Sequence, residues 1–410
     1  MTDSAEILSS GQPALNRTLT LPLVALYGLG VTVGAGIYVL IGETAALAGS
    51  FAPLAFLIAA FVVSFTAFSY AELSTRYPVS AGEAAYVDAG LKRVWIAQLV
   101  GLAVALSGIV SASTVAIGAG SYLAEIVDLA PALATITVVI LIGLVAWWGI
   151  TQSVVTAAVI TVIEIAGLAI VIAWGFGAAE PAGLSIGDMM PSLEGGHWLG
   201  IGAASVLAFF AFIGFEDMVN VAEEVKNPRR VLPTAIVITL VIATLLYVAV
   251  VAAVLVAVPL EQLAGADAPL TLVFANAPHW LQSSFSAVAV VATVNGVLIQ
   301  MIMASRVLYG MANRGQLPAV LAQVSPRTRT PTVATALVTV IILALTQLVP
   351  IDRLAAYTSQ IVLGIFIAVN LSLIAIKRRP HSTGDYFNLP LIVPVCGVLT
   401  SLALLIFSLL

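Results

Sequence analysis

The chain has 410 residues, of which 61% are hydrophobic and 9% charged, with a formal net charge of −5. Soluble domains are about 45–50% apolar and about 25% charged, so this composition excludes one and calls for lipid as the solvent. No basic cluster interleaved with aromatics points to nucleic acid; the single cysteine, Cys396, excludes an internal disulfide, and His197, His279 and His381 lie too far apart to propose a metal site.

Residues 1–19 carry Asp3, Glu6 and Arg17 without a basic start and apolar core, and read as a short cytoplasmic tail rather than a cleavable signal. Apolar stretches of membrane-spanning length follow at 20–42, 51–74, 93–120, 131–149, 152–177, 198–222, 233–258, 281–312, 331–350, 354–377 and 388–409. Connections are short. The longest, 178–197 and 259–280, each have room for a short surface helix.

With the N-terminus inside, alternation puts Arg17, Arg76, Lys92, Arg93, Lys226, Arg229 and Arg230 on the cytoplasmic side. Arg306, Arg314, Arg327, Arg329, Lys377, Arg378 and Arg379 join them, leaving Arg353 alone outside. One helix more or fewer would scramble the later groups, so the bias towards positive charge inside supports both the count and the orientation.

Two of these stretches are irregular in the same way. The first holds Gly28, Gly30, Gly34 and Gly36, and the sixth runs from Phe209 through Gly214 to Glu216. Glycine costs a helix about 1 kcal/mol relative to alanine. Two weakened helices five positions apart fit an inverted repeat of five helices plus five, with unwound backbone facing a ligand at mid-membrane. Close helix packing is the competing explanation of the same glycines.

Three motifs carry a family likeness: Gly34-Ala35-Gly36-Ile37-Tyr38; Phe209 to Glu216 running into Glu223-Glu224-Val225-Lys226-Asn227-Pro228; and Ser305-Arg306 through Asn313-Arg314-Gly315 to Pro318. On these the chain resembles the amino acid–polyamine–organocation superfamily, and its amino acid permeases in particular, from about Leu19 to Arg379. A looser match is Tyr70-Ala71-Glu72-Leu73 followed by Pro78, Gly82 and Tyr86, where Glu83 stands in place of the family's second glycine.

The resemblance implies an all-α polytopic membrane fold. Residues 20–379 would form a ten-helix core, with repeats 20–177 and 198–379 and broken helices 1 and 6. An eleventh helix, 388–409, would follow the tail and core. It also implies a substrate site at the breaks. The carboxylate of an amino acid would sit on amides around Val33, Gly34, Ala35 and Gly36, at the positive end of a half-helix. The ammonium would meet carbonyls near Thr32 and those of Phe210, Ala211 and Ile213, with Phe210 as an aromatic gate. An ordinary core phenylalanine is the plainer view of Phe210.

Glu164 lies alone in an apolar run, Thr161-Val162-Ile163-Glu164-Ile165-Ala166. An acid at mid-membrane costs about 2.5–3.5 kcal/mol on insertion scales, so it is expected to face the bundle interior. Many relatives would carry a lysine at this place. Three roles remain open: a proton carrier, a sodium ligand, and a neutral acid holding two helices together. Glu216 and Arg306 are the expected members of a cytoplasmic gate, against the alternative of a solvated charged face.

Helix 3 offers Ser107, Ser111, Ser113 and Thr114 but no acid between Gly101 and Tyr122, so the substrate pocket reads as neutral. The reading is therefore a secondary transporter of neutral amino acids in the cytoplasmic membrane, proton-coupled, working by alternating access and needing no cofactor. No phosphate-binding glycine-lysine loop is present. Its partners would be an amino acid, a coupling proton with sodium as the alternative, and lipid, without nucleic acid. An amine or organocation exchanger and a non-transporting amino acid sensor are the rival readings; an enzyme is not expected.

Overall fold

The computed structural model describes residues 17–34, 36–78, 82–148, 154–177, 184–190, 195–328, 330–379 and 386–409. Ala35, Arg329, His381 and most of the N-terminal tail lie outside the described residues.

Backbone groups in lipid have no water to bond, so apolar runs of this length close their hydrogen bonds within helices. Each stretch expected to span holds helix: α1 (Leu21–Val33), α2 (Gly36–Ala48), α3 (Ala52–Arg76), α4 (Gly82–Leu91), α5 (Val94–Val127), α6 (Pro131–Trp148) and α7 (Val154–Phe176) come first. Then follow α8 (Gly195–Phe210), α9 (Pro228–Ala257), α10 (Leu260–Leu263), α11 (His279–Asn313), α12 (Thr332–Leu348), α13 (Ile351–Lys377) and α14 (Ile392–Phe407). Among the described residues, eight helical stretches are long and apolar enough to cross a membrane, while α1, α12 and α14 are shorter apolar helices. Among the described residues there is no β-strand, only one isolated parallel bridge between Leu19 and Val225.

The two longest connections contain short helical turns, as their length led us to expect: Ile186–Met189 in one, α10 and Thr271–Phe274 in the other. Helix α4 was not foreseen. It is ten residues long and carries Glu83 and Asp88 among small residues, so no apolar run marks it.

The α5·α11 pair is the most extensive contact of the bundle. At 1.5 Å per residue each is about 50 Å long, well beyond a hydrocarbon core of about 30 Å. Helix α14 packs on α13 and α3, and a buried polar knot joins α13 to α3. Asn370 Nδ2 donates to Thr66 Oγ1 (2.9 Å) and Phe366 O (2.8 Å), and its Oδ1 accepts from Ser69 Oγ at 2.6 Å. Side-chain amides hold helices together in this way where no water competes.

A second knot involves Glu72, which is fully buried. Its Oε1 accepts Arg76 Nη2 (2.6 Å) and Lys377 Nζ (2.6 Å), and its Oε2 accepts the Leu389 amide at 2.9 Å. Arg76 also lies over the Tyr386 ring, 3.8 Å from its centroid. The chain between α13 and α14 is thereby anchored to α3.

Candidate substrate site

The first break follows from the glycines. Helix α1 ends at Val33, where the Gly34 amide still reaches Gly30 O at 3.2 Å, and α2 restarts at Gly36. The second break begins after Phe210. Here Ala211, Phe212 and Ile213 switch to i−3 bonds, their amides donating to Ala208 O (3.1 Å), Phe209 O (3.0 Å) and Phe210 O (3.1 Å). Gly214 then adopts φ +119°, which a side chain would resist. A 3₁₀ segment, Phe215–Glu224, completes the crossing. The carboxylate of Glu216 turns back to cap this kink, its Oε2 accepting the Gly214 amide at 2.9 Å.

The two breaks touch. A Cβ added at Gly36 would lie 2.3 Å from Ala211 Cα, so the backbones approach as closely as a missing side chain permits. Behind them, the Tyr247 hydroxyl of α9 lies 2.8 Å from Thr32 O and 2.8 Å from Ala211 O. Thr32, Val33, Gly34, Gly36, Phe210 and Ala211 are buried, and Ile213 is partly so. Of the residues assigned to the site from sequence, all but the undescribed Ala35 therefore lie at one junction.

Glu164 of α7 faces that junction. A Cβ at Gly34 would meet its Oε1 at 3.2 Å and its Oε2 at 3.4 Å. The Asn295 amide of α11 donates to Oε1 over 3.4 Å, while the buried Oε2 has no hydrogen-bond partner among the described residues. The backbone carbonyl of Glu164 accepts the Tyr38 hydroxyl at 2.9 Å, and the carbonyl of Tyr38 accepts the Tyr122 hydroxyl at 2.6 Å.

A narrow cavity lies beside the junction, lined by Val31, Phe210, Ile213, Ser111 and Gln300 among others. A second small cavity shares Ile213, Ser111 and Gln300 with it and adds Tyr70, Glu83, Glu216 and Asp217. Beyond them a cavity of about 1120 Å³ opens, which also includes Glu83 and Asp217 and is walled further out by Glu224, Arg306 and Arg314. That is wider than a fitted ligand pocket of about 300–1,000 Å³, and serves better as an approach route.

The place of the acids beside the small cavity is the part that sequence reasoning missed, since it read Glu216 as a gate residue and the pocket as neutral. Helix 3 offers none, but Glu83 arrives from α4 and Glu216 with Asp217 from the 3₁₀ segment. Tyr70 OH donates to Glu83 Oε1 at 3.2 Å, and Asn220 Nδ2 to Asp217 Oδ1 at 3.4 Å. Glu216 and Arg306 do not meet in this structure: Glu216 is held by Gly214, and Arg306 is exposed on the wall of the wide cavity.

The sequence profile of the amino acid permease family matches residues 19–410. The chain belongs to the amino acid permease family. The permease is 29% identical to the branched-chain amino acid permease BcaP of Bacillus subtilis (strain 168), over 95% of this chain and 87% of that protein. It is 31% identical to the vacuolar cationic amino acid transporter 2 of Arabidopsis thaliana over 92% of its own length, which spans 62% of that relative. It is also 26% identical to the methylthioribose transporter of Bacillus subtilis (strain 168), over 96% of this chain and 88% of that protein. The family and these relatives are transporters, not enzymes, and the relatives are named for different substrates: branched-chain amino acids, cationic amino acids and methylthioribose.

Proposed function

We propose that the protein is a secondary transporter that carries amino acids across the cytoplasmic membrane by alternating access. The contact of the two helix breaks at Gly36 and Ala211 supports this most directly. Backbone amides and carbonyls gathered at one junction suit a zwitterion, whose two charges need donors and acceptors a few ångströms apart. The permeases and amino acid transporters among its relatives point the same way.

The core is an inverted repeat of five helices plus five, with α14 as an addition and the N-terminus in the cytoplasm. On that orientation the wide cavity, with Arg306 and Arg314 at its wall, opens inwards. The residues around Gly34 and Gly36 bind the carboxylate, and Phe210 closes over the substrate. Closing the inner route would bring acids of the 3₁₀ segment towards Arg306. Glu164, whose Oε2 lacks a partner among the described residues, takes up and releases the coupling proton beside the first break. Its place against Gly34 would let substrate and proton sense one another.

A second reading of the substrate has its own support. Glu83, Glu216 and Asp217 border the small cavity next to Ile213, a lining that favours a cationic side chain over the neutral one read from helix 3.

Uptake by purified protein in liposomes tests both, with labelled L-leucine and L-arginine under an inward proton gradient, an inward sodium gradient, or neither. Proton-driven accumulation of leucine fits the main reading, and preference for arginine fits the second. Binding without flux under every gradient would replace transport by sensing.

A further inference from the structure

Tyr247 belongs to neither break, yet it contacts both. It is fully buried on α9. Its ring is wedged between Phe212 (centroids 5.0 Å apart) and Phe56 (5.9 Å), both roughly edge-on, so the direction of the hydroxyl is fixed. That hydroxyl lies at the same distance, 2.8 Å, from Thr32 O of α1 and from Ala211 O just past α8.

A phenol has one hydrogen to donate, whereas each carbonyl oxygen can accept two. Two acceptors thus share one donor, and the pair is a hydrogen short. The oxygens are at most twice 2.8 Å apart, a spacing that one small donor with several hydrogens can bridge. An ammonium group carries three such hydrogens and a positive charge.

We propose that Tyr247 is a positioning residue of the substrate site: it draws the two helix breaks onto one hydroxyl and presents their carbonyl pair to the ammonium group of the substrate. The proposal rests on the transport reading above. Without the hydroxyl, the Thr32 and Ala211 carbonyls lose their common partner and the ammonium meets a pair no longer held at the right spacing. The ring remains to fill the core, so Tyr247→Phe removes the donor with little change of volume.

The test is the kinetics of L-leucine and L-arginine uptake by Tyr247→Phe in liposomes, beside the wild type. The expected result is a KM raised about tenfold, the worth of a hydrogen bond to a charged group, with Vmax within about twofold. An unchanged KM, with or without a loss of Vmax, overturns the proposal, because a purely structural pin would slow the cycle without weakening substrate binding. Phe212→Leu is the second variant, should the first not fold: it keeps the hydroxyl but frees its direction, and a KM raised about threefold is expected. An unchanged KM there is equally damaging. A wild type that moves neither amino acid overturns the transport reading itself and takes this inference with it.

Discussion

The hydroxyl of Tyr38, in the first turn of the helix that restarts after the first break, donates to the backbone carbonyl of Glu164 across 2.9 Å. The helix that restarts after the break is thereby tied to the helix that carries the buried acid. Tyr122 completes the chain by donating to the carbonyl of Tyr38 at 2.6 Å. If Tyr122 sets the position of Tyr38, the two bonds are not independent. Tyr38→Phe and Tyr122→Phe should each cost about 1 kcal/mol. The double variant should lose less than their sum, by at least about 0.5 kcal/mol. Unfolding of the four proteins in detergent gives the answer, and strict additivity would separate the two contacts.

Glu164→Gln keeps the shape of the side chain, and the contact with Asn295 can be rebuilt through the amide oxygen, but the group no longer exchanges a proton. Accumulation against a gradient should disappear while equilibration of labelled substrate persists. Uptake measured from pH 5 to pH 8 should also become flatter than in the wild type. Unaltered pH dependence together with full accumulation would remove proton coupling from this residue.

Gly36→Ala places a methyl group 2.3 Å from Ala211 Cα, a contact that only backbone movement can relieve. Overpacking of this kind costs about 1–3 kcal/mol, small enough for the protein to remain folded. We expect a monodisperse variant with a modestly lowered melting temperature and uptake reduced more than about tenfold, since the two breaks can no longer touch. Near-normal uptake would show that their close contact is not needed.

Glu72→Gln strips the charge that Arg76 and Lys377 share inside the bundle. Breaking a buried ion pair from one side costs about 3–5 kcal/mol. The loss should appear in thermal unfolding, and the linker at Leu389 should become sensitive to protease because its amide loses Glu72 Oε2. A variant as stable and as resistant as the wild type would show that the knot is idle.

Much of this architecture is legible in the sequence because lipid imposes so strict a rule on the backbone. Apolar runs had to be helices, and glycines that weaken two of them marked where they part. Glu164 stood out because one acid in an unbroken apolar run has few bland explanations. Helix α4 left no such trace, being short and mixed in character. Glu83 and Asp217 were missed as a pair because they lie 134 positions apart and only folding brings them to one cavity. Tyr247 was invisible for another reason: one tyrosine among aliphatic residues looks like any core aromatic until its hydroxyl is seen between two carbonyls. Glu72 was noticed only as part of a motif, since an acid near a helix end usually faces water.

The lone bridge at Leu19 has a mechanical side. The Leu19 amide donates to Glu224 O at 3.0 Å, and its carbonyl accepts the Lys226 amide at 2.9 Å. The start of α1 is thus stitched to the far end of the segment that follows the second break. Any pull on the N-terminal segment, from a fused domain, a tag or a bound surface, is delivered through two peptide groups to that segment. A handle on the N-terminal segment is thus also a handle on the end of the segment that follows the second break.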